Sequence, residues 1–94
     1  MIFDWDDSNR QHLARHQVKP AEAEEVIRSE PVELEVEEHD DGDRPHYVGE
    51  TATGRVLVVI ITWRGDAVRI ISGWDAPRAI KQQYLTYRAN EYGR

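Results

Sequence analysis

Two histidines four residues apart, His12 and His16, are the first side chains in this sequence whose spacing could serve chemistry. On a helix they would share a stripe with Asn9 and Leu13, and they would have the spacing of a two-histidine metal site. The segment lacks the glutamate of an HExxH motif, and the one obvious third ligand is His39, in a predicted turn. The pattern therefore favours packing of one histidine between helix and sheet, and we expect no metal site.

Tryptophan and arginine stand together at the ends of two predicted strands. Trp63 is followed by Arg64, and Trp74 comes after Arg69 on the next strand. Indole rings near cations can stack nucleic-acid bases, and they can equally contact a protein partner. The sequence leaves both interpretations open for these two residues, whereas Trp5, close to apolar neighbours, is typical of a core side chain.

The apolar run at residues 56–61 is the segment on which a core must be built. Its six residues are mostly β-branched and leave no face for water, so they predict a central strand covered on both sides. The Arg-Gly-Asp segment at 64–66 predicts a hairpin turn. On the returning strand Arg69 alternates with Val68 and Ile70, so it should project from the opposite face, where we expect the functional surface.

The remaining pattern predicts one α+β domain that spans residues 1–94. The predicted elements are a short strand at 2–5, helices at about 6–16 and 20–29, strands at 32–37, 44–51, 56–61 and 68–72, and a helix at about 76–89. Helices therefore lie on one face of a four-stranded antiparallel meander. Asp75 is expected to cap the last helix.

Packing partners also follow from periodicity. Val32, Leu34 and Val36 alternate strictly with glutamates, which predicts a half-buried strand with one acidic face. On the last helix, Tyr84 and Tyr87 fall on the apolar stripe, so both are expected in the core.

The charges are divided unequally along the chain, whose net charge is -6 at pH 7. Residues 1–50 hold 15 acidic and 5 basic side chains, and residues 51–94 hold 3 and 7. This asymmetry suggests an acidic and a basic surface with two partners, or an acidic segment that only solubilises the domain. The acidic run at 33–43 fits a solvated edge strand, a shield for the basic face or a docking surface for a basic protein.

The composition also bears on the compartment. The sequence has no cysteine, no apolar run of bilayer length and no basic, apolar leader at its N-terminus. We expect a soluble, cytoplasmic protein without membrane contacts.

Several of these residues stand in the order and spacing of a known family. The segment WDDSNRQHLARHQVKPAEAEEV at 5–26 contains a W-D pair, an asparagine, a basic-His-x-Val motif and E-A-x-x-V. Arg44 and Gly49 follow, and then GRVLVVIITWRGDAVRIIS at 54–72. In their joint order these motifs resemble BrnT proteins, the toxin half of a bacterial type II toxin-antitoxin pair.

The resemblance implies a fold similar to RelE and ParE toxins and a ribonuclease that needs no metal or other cofactor. Such an enzyme would inhibit translation by cleaving RNA. The resemblance further implies neutralisation by a BrnA-like antitoxin, which is similar to ribbon-helix-helix DNA-binding proteins. DNA would then be contacted only through the antitoxin.

Roles for individual residues follow from the same resemblance. Metal-free RNA cleavage requires a base, an acid and cations that face the phosphate oxygens. His16 lies at a family histidine, which implies proton transfer, and the arginines at family positions would bind phosphate and stabilise charge. The catalytic candidates are His16, Arg44, Arg64 and Arg69, and the RNA-binding candidates are Trp63, Trp74 and Arg55. We expect the guanidinium groups to meet in one cleft near His16, away from the glutamates.

The chain departs from the family pattern at a few positions. Glu50 stands where many relatives have arginine, and Gly73 and Trp74 replace an Ala-Arg pair, so two cations are missing. Gln17 replaces a glycine that would suit a left-handed helix end. These departures favour an alternative function, in which a catalytically reduced member serves as a protein-interaction module.

Overall fold

The computed structural model describes residues 1–92, in which three helices flank one mixed five-stranded sheet. The elements are β1 (Ile2–Phe3), α1 (Asp7–Ala14), α2 (Pro20–Arg28), β2 (Val32–Glu37), β3 (Arg44–Glu50), β4 (Val56–Arg64), β5 (Ala67–Asp75) and α3 (Arg78–Tyr92). The predicted α+β class and the order of the elements are confirmed. None of the helices in these residues is both long and apolar enough to span a membrane.

The sheet has one strand more than the predicted meander. Its order is β1-β5-β4-β3-β2, and β1 pairs in parallel with β5 through Ile2↔Ala67 and Phe3↔Val68. The prediction of a four-stranded, purely antiparallel sheet was therefore wrong. A two-residue strand carries no periodicity of its own, and its pairing depends on a partner more than sixty residues away.

The central strand β4 divides the molecule into two layers. Its residues from Val56 to Ile61 are all buried, as predicted. The first face, as we call it, carries Leu57, Val59 and Ile61 and packs under α1 and α2. The second face carries Val56, which packs with Val48 of β3 and with α3. The prediction that the helices lie on one face of the sheet was therefore wrong, because α3 covers the second face.

A bulge in β5 determines which of its side chains reach the second face. Ile60 pairs with Ser72 but Ile61 pairs with Ile70, so Ile71 is an extra residue. Cross-strand partners share a face. Ile70 pairs with Ile61 on the first face and Arg69 pairs with Thr62, so Arg69 projects from the second face, as predicted.

A second bulge interrupts the predicted alternation of β2. Glu33 pairs with Tyr47 while Glu35 pairs with His46, which leaves Leu34 as the extra residue. Leu34 and Val36 are 39% and 46% exposed, so the prediction of a half-buried strand holds only for Val32. Strict alternation in sequence did not reveal the bulge, which moves Val36 and Glu33 to one face.

Helix α1 is attached to β5 by a buried amide. Asn9 closes a capping box with Asp6, and its side-chain amide nitrogen donates to the backbone oxygens of Asp4 (2.9 Å) and Ile70 (3.0 Å). Asn9 and Leu13 are the two buried residues of this helix. With these two residues facing the core, the rest of the short helix is exposed.

The predicted packing of a histidine between α1 and the sheet was wrong. His12 and His16 are both exposed. The helix ends at Ala14, two residues earlier than predicted, because the chain turns at Gln17, whose φ is +56°. His16 therefore follows the helix instead of continuing its stripe.

The C-terminal part of the chain differs from prediction in detail. Tyr84 is buried as expected, but Tyr87 is 52% exposed, since α3 contacts the sheet along a narrow stripe. Asp75 ends β5, and both of its carboxylate oxygens accept hydrogen bonds from Arg55. Trp5 packs partly buried against the core, as predicted, and donates to Glu24.

Candidate active site

A tryptophan on the second face is close to two histidines. Trp74 of β5 pairs with Val58, and its ring centroid is 6.3 Å from that of His46 of β3, in an edge-on arrangement. The ring of His16, which follows α1, is 6.0 Å from the same indole. One indole thus connects a strand histidine with a helix-end histidine.

The imidazole of His46 is held by carboxylates of the edge strand. Its Nε2 is 2.5 Å from Glu37, its Nδ1 is 3.4 Å from Glu35, and the residue is 8% exposed. The hydrogen bond from His46 lowers the pKa of Glu37 below its usual value, and His39 acts in the same direction. Carboxylates therefore lie at both ring nitrogens; enzymes use a histidine for proton transfer when a carboxylate orients one nitrogen and the other is open to the substrate.

Two of the predicted arginines, Arg64 and Arg69, lie next to aspartates near the N-terminus. The guanidinium of Arg69 lies 3.6 Å from Asp4 and 3.0 Å from Asp6, and Arg64 lies 3.5 Å from the same oxygen of Asp4. Arg69 is 8% exposed, and its Nη1 has no hydrogen-bond partner among residues 1–92. The hydrogen bond with Arg69 is the main reason why the pKa of Asp6 is lowered.

Arg44 lies on the second face at the start of β3. In the sheet register it is the cross-strand partner of Glu37, and its guanidinium forms an ion pair of 3.6 Å with Asp41 in the preceding turn. Thr62, the cross-strand partner of Arg69, donates to the backbone oxygen of Asp43 beside it. Arg44 and Arg69 are therefore on one face, on either side of Thr62.

Arg55 connects several elements of the fold through its guanidinium group. It donates to both oxygens of Asp75 at 2.8 and 2.9 Å, to Glu22, and to the backbone oxygens of Gln17 and His16. The bonds to Asp75 raise the pKa of Arg55 and lower that of Asp75. Since all five guanidinium donors are engaged, Arg55 joins β4, β5 and α2 and supports the backbone that carries His16.

The two tryptophans predicted to bind RNA lie on opposite faces. Trp63 pairs with the core residue Val68, so it projects from the first face, and it is 57% exposed. Trp74 lies on the second face beside the histidines. The sheet separates these two aromatic rings.

A family model described as "Ribonuclease toxin, BrnT, of type II toxin-antitoxin system" matches residues 5–79. The chain belongs to this BrnT family. The matched segment includes every candidate residue described above and ends within the first turn of α3. No curated protein and no solved structure matches the chain significantly, so kinship of the fold with RelE and ParE toxins stays a prediction.

Membership in the BrnT family implies RNA as the target and an antitoxin as the partner. For such a protein, the expected cleft of arginines around His16 is not what the structure presents. Arg64 and Arg69 meet at Asp4, Arg44 meets Asp41, and among the described residues none of the three contacts His16. Each of these cations is next to a carboxylate.

The glutamates also depart from expectation for a BrnT-family site, because Glu35 and Glu37 lie beside the candidate histidine His46. His46 is the functional candidate that the sequence did not identify. Its face is set by the pairing of His46 with Ile60 of β4, and the bulge in β2 separates Glu33 from the two glutamates beside it. No pattern in the sequence marks this register or the bulge. Within residues 1–92 no group of three or more acidic or histidine side chains is arranged to hold a metal ion.

Proposed function

We propose that this BrnT-family protein cleaves RNA without a metal ion on the second face of its sheet. The observation that carries the proposal is the His16–Trp74–His46 cluster, because it provides two imidazoles and an aromatic surface in one place. Cleavage of RNA would inhibit translation. As a type II toxin in the cytoplasm, the protein would be neutralised by a BrnA-like ribbon-helix-helix antitoxin, and DNA would be contacted through that antitoxin alone.

The two imidazoles supply the acid and the base that this reaction needs. One imidazole accepts the proton of the 2′-hydroxyl group as the oxygen of that hydroxyl attacks the phosphorus atom. The other imidazole protonates the 5′-oxygen as its bond to phosphorus breaks, which leaves a cyclic phosphate. Glu37 fixes the ring of His46, and Glu35, with 70% of its side chain exposed, has room to move aside when RNA arrives.

The arginines of β4 and β5 are proposed to bind neighbouring phosphates. The cross-strand partners of Arg69 and Trp74 are Thr62 and Val58, four residues apart on β4, so the two side chains are separated by about 13 Å along the second face. A guanidinium binds phosphate through two parallel hydrogen bonds, and a phosphate would replace Asp4 at Arg64 and Arg69. Arg44, on the same face, is proposed to contact a further phosphate, and Trp74 to stack on a base.

One observation favours a second candidate function, that of an interaction module with reduced catalysis. Arg44, Arg55, Arg64 and Arg69 each contact a carboxylate, and a paired cation attracts phosphate less strongly. In that case the protein would bind its antitoxin and leave RNA intact.

The decisive experiment measures cleavage of a labelled RNA by the purified protein in excess EDTA. We expect cleavage to continue in EDTA, and His16→Ala and His46→Ala each to lower the rate about 10²- to 10⁴-fold, the usual contribution of general acid-base catalysis. His12→Ala is the matched control, since His12 is an exposed histidine in the last turn of α1, the helix that precedes His16.

Three results would contradict the proposal as a whole or one part of it. Loss of cleavage in EDTA would contradict metal independence. A His46→Ala protein as active as wild type would remove His46 from the site. A wild-type protein that neither cleaves RNA nor arrests growth on induction, yet binds its antitoxin tightly, would establish the interaction module instead.

A further inference from the structure

An exposed apolar surface lies on the first face, at the C-terminal end of β4 and beside the end of α2. We call it the Trp63 patch and define it by Met1, Val36, Tyr47 and Trp63. Three of these side chains are strongly exposed: Met1 by 68%, Trp63 by 57% and Val36 by 46%. Beside the indole lies a concavity of about 180 Å³, lined by Met1, Ile27, Pro31, Tyr47, Ile61, Trp63 and Val68.

The patch is continuous around the indole. Trp63 lines the concavity on one side, and on its other side it borders a second depression with Val36, Pro45 and Glu33. Register explains the exposure, because Trp63 is the last first-face residue of β4, and α2 reaches the concavity beside it only with its C-terminal end, at Ile27. A cluster of large apolar side chains in water is typical of a protein interface, and tryptophan is enriched among the residues that contribute most of the binding energy.

The border of the patch is anionic. Glu33 and Asp43 line the depression next to Trp63 and Val36. Glu33 is close enough to Tyr47 to act on its phenol, since burial and the charge of Glu33 both raise the pKa of Tyr47. Carboxylates here would repel an RNA backbone, which binds by phosphate neutralisation, and would attract a cationic protein segment.

We propose that the Trp63 patch is the docking surface for the antitoxin, which would insert an apolar side chain into the concavity and place Lys or Arg against Glu33 and Asp43. The inference rests on the antitoxin partner that BrnT family membership implies, and it does not depend on the cleavage chemistry. It assigns Trp63 to protein contact and leaves RNA to Trp74 on the other face. Strand β2 links the two surfaces, because Val36 lies in the patch and Glu37 holds His46.

The test is calorimetric titration of the purified full-length protein with its cognate antitoxin. We expect Trp63→Ala to weaken binding about 30-fold, as removal of a central interface tryptophan does. The double variant Glu33→Lys, Asp43→Lys should weaken binding and flatten its salt dependence. Tyr87→Ala is the matched control, because Tyr87 is an aromatic residue of similar exposure (52%) on α3.

Unfolding followed by circular dichroism checks that each variant is folded, and Val36→Asp provides a second perturbation of the patch should Trp63→Ala be unstable. Unchanged antitoxin affinity in the Trp63 and Val36 variants would overturn the inference. So would a Trp63→Ala protein that loses affinity for a labelled RNA but not for antitoxin, or a self-associating wild type that the variant makes monomeric. A protein without nuclease activity that still needs Trp63 for antitoxin binding would refute the proposed function and support this inference.

Discussion

Replacement of Asn9 by alanine should detach α1 from the sheet and lower stability more than any exposed substitution in that helix. Asn9 is 1% exposed, and its amide nitrogen donates to the backbone oxygens of Asp4 and Ile70. Its side-chain oxygen accepts a hydrogen bond of 2.8 Å from the backbone nitrogen of Asp6. Alanine removes all three hydrogen bonds at once.

The size of the effect follows from the surroundings of each hydrogen bond. The bond to Ile70 is fully buried, so loss of its donor costs about 1–3 kcal/mol, and the two partly buried bonds contribute about 1 kcal/mol each. The free energy of unfolding should therefore fall by about 4 kcal/mol. For a domain of this length that corresponds to a melting temperature lower by roughly 15 to 30 °C.

Urea denaturation followed by circular dichroism measures this loss. Gln11→Ala is the control, because Gln11 is exposed on the same helix and its replacement should change stability by less than about 0.5 kcal/mol. Asn9→Asp keeps an acceptor for the Asp6 amide but loses both donated bonds, so it should also be strongly destabilising. Since α1 leads into His16, the proposed RNA cleavage should fall in Asn9→Ala even at temperatures where the protein is folded.

Our account of how α1 is anchored would be refuted if Asn9→Ala cost less than about 1 kcal/mol, the value of one ordinary hydrogen bond. Equal stability of the Asn9 and Gln11 variants would have the same meaning. A large loss in Asn9→Ala together with a neutral Asn9→Asp would show that the capping oxygen, and not the bond to β5, carries the effect.

Three further predictions concern a helix end, a close contact and an acid transition. Gln17→Gly should raise the free energy of unfolding by up to about 1 kcal/mol in urea denaturation, because φ is +56° at this position; a destabilised variant would show that the Gln17 side chain contributes. Gly73→Ala should cost about 1–3 kcal/mol in the same assay, since an added Cβ would lie 3.2 Å from Leu13; a neutral result would show that α1 can shift. The hydrogen bond from His46 lowers the pKa of Glu37, so ionised Glu37 stabilises the fold at pH values above its ordinary pKa of 4.5. This contribution should be lost as the pH falls below 4.5 and through the lowered pKa. His46→Gln should weaken that acid dependence, and an identical pH profile in the variant would contradict the assignment.

Much of the fold could be predicted because its signals are local. The run at 56–61 is apolar at every position, so its burial in the centre of the sheet did not depend on any other segment. The turn at 64–66 and the helix that starts at Pro20 are likewise encoded within a few residues. The order of all eight elements followed from such signals.

The candidate site could be predicted only in part because its geometry depends on register. Arg69 was placed on the correct face by simple alternation with its neighbours. His46 was not, because its face is set by the register in which β3 pairs with β4, and a shift of one residue reverses every side chain. His16 is exposed because α1 ends before it, and His12 is exposed because only Asn9 and Leu13 of that helix face the core.

The sequence by itself determined the secondary structure, the central strand and the family, since periodicity and motif spacing can be read along the chain. It also showed an acidic first half and a more basic second half. Only the tertiary structure decided how these charges are used: arginines of the second half pair with carboxylates of the first, as in Arg55–Glu22 and Arg69–Asp6. The physical reason is that ion pairs depend on distance in space, and folding brings residues of opposite charge together that lie far apart in the sequence.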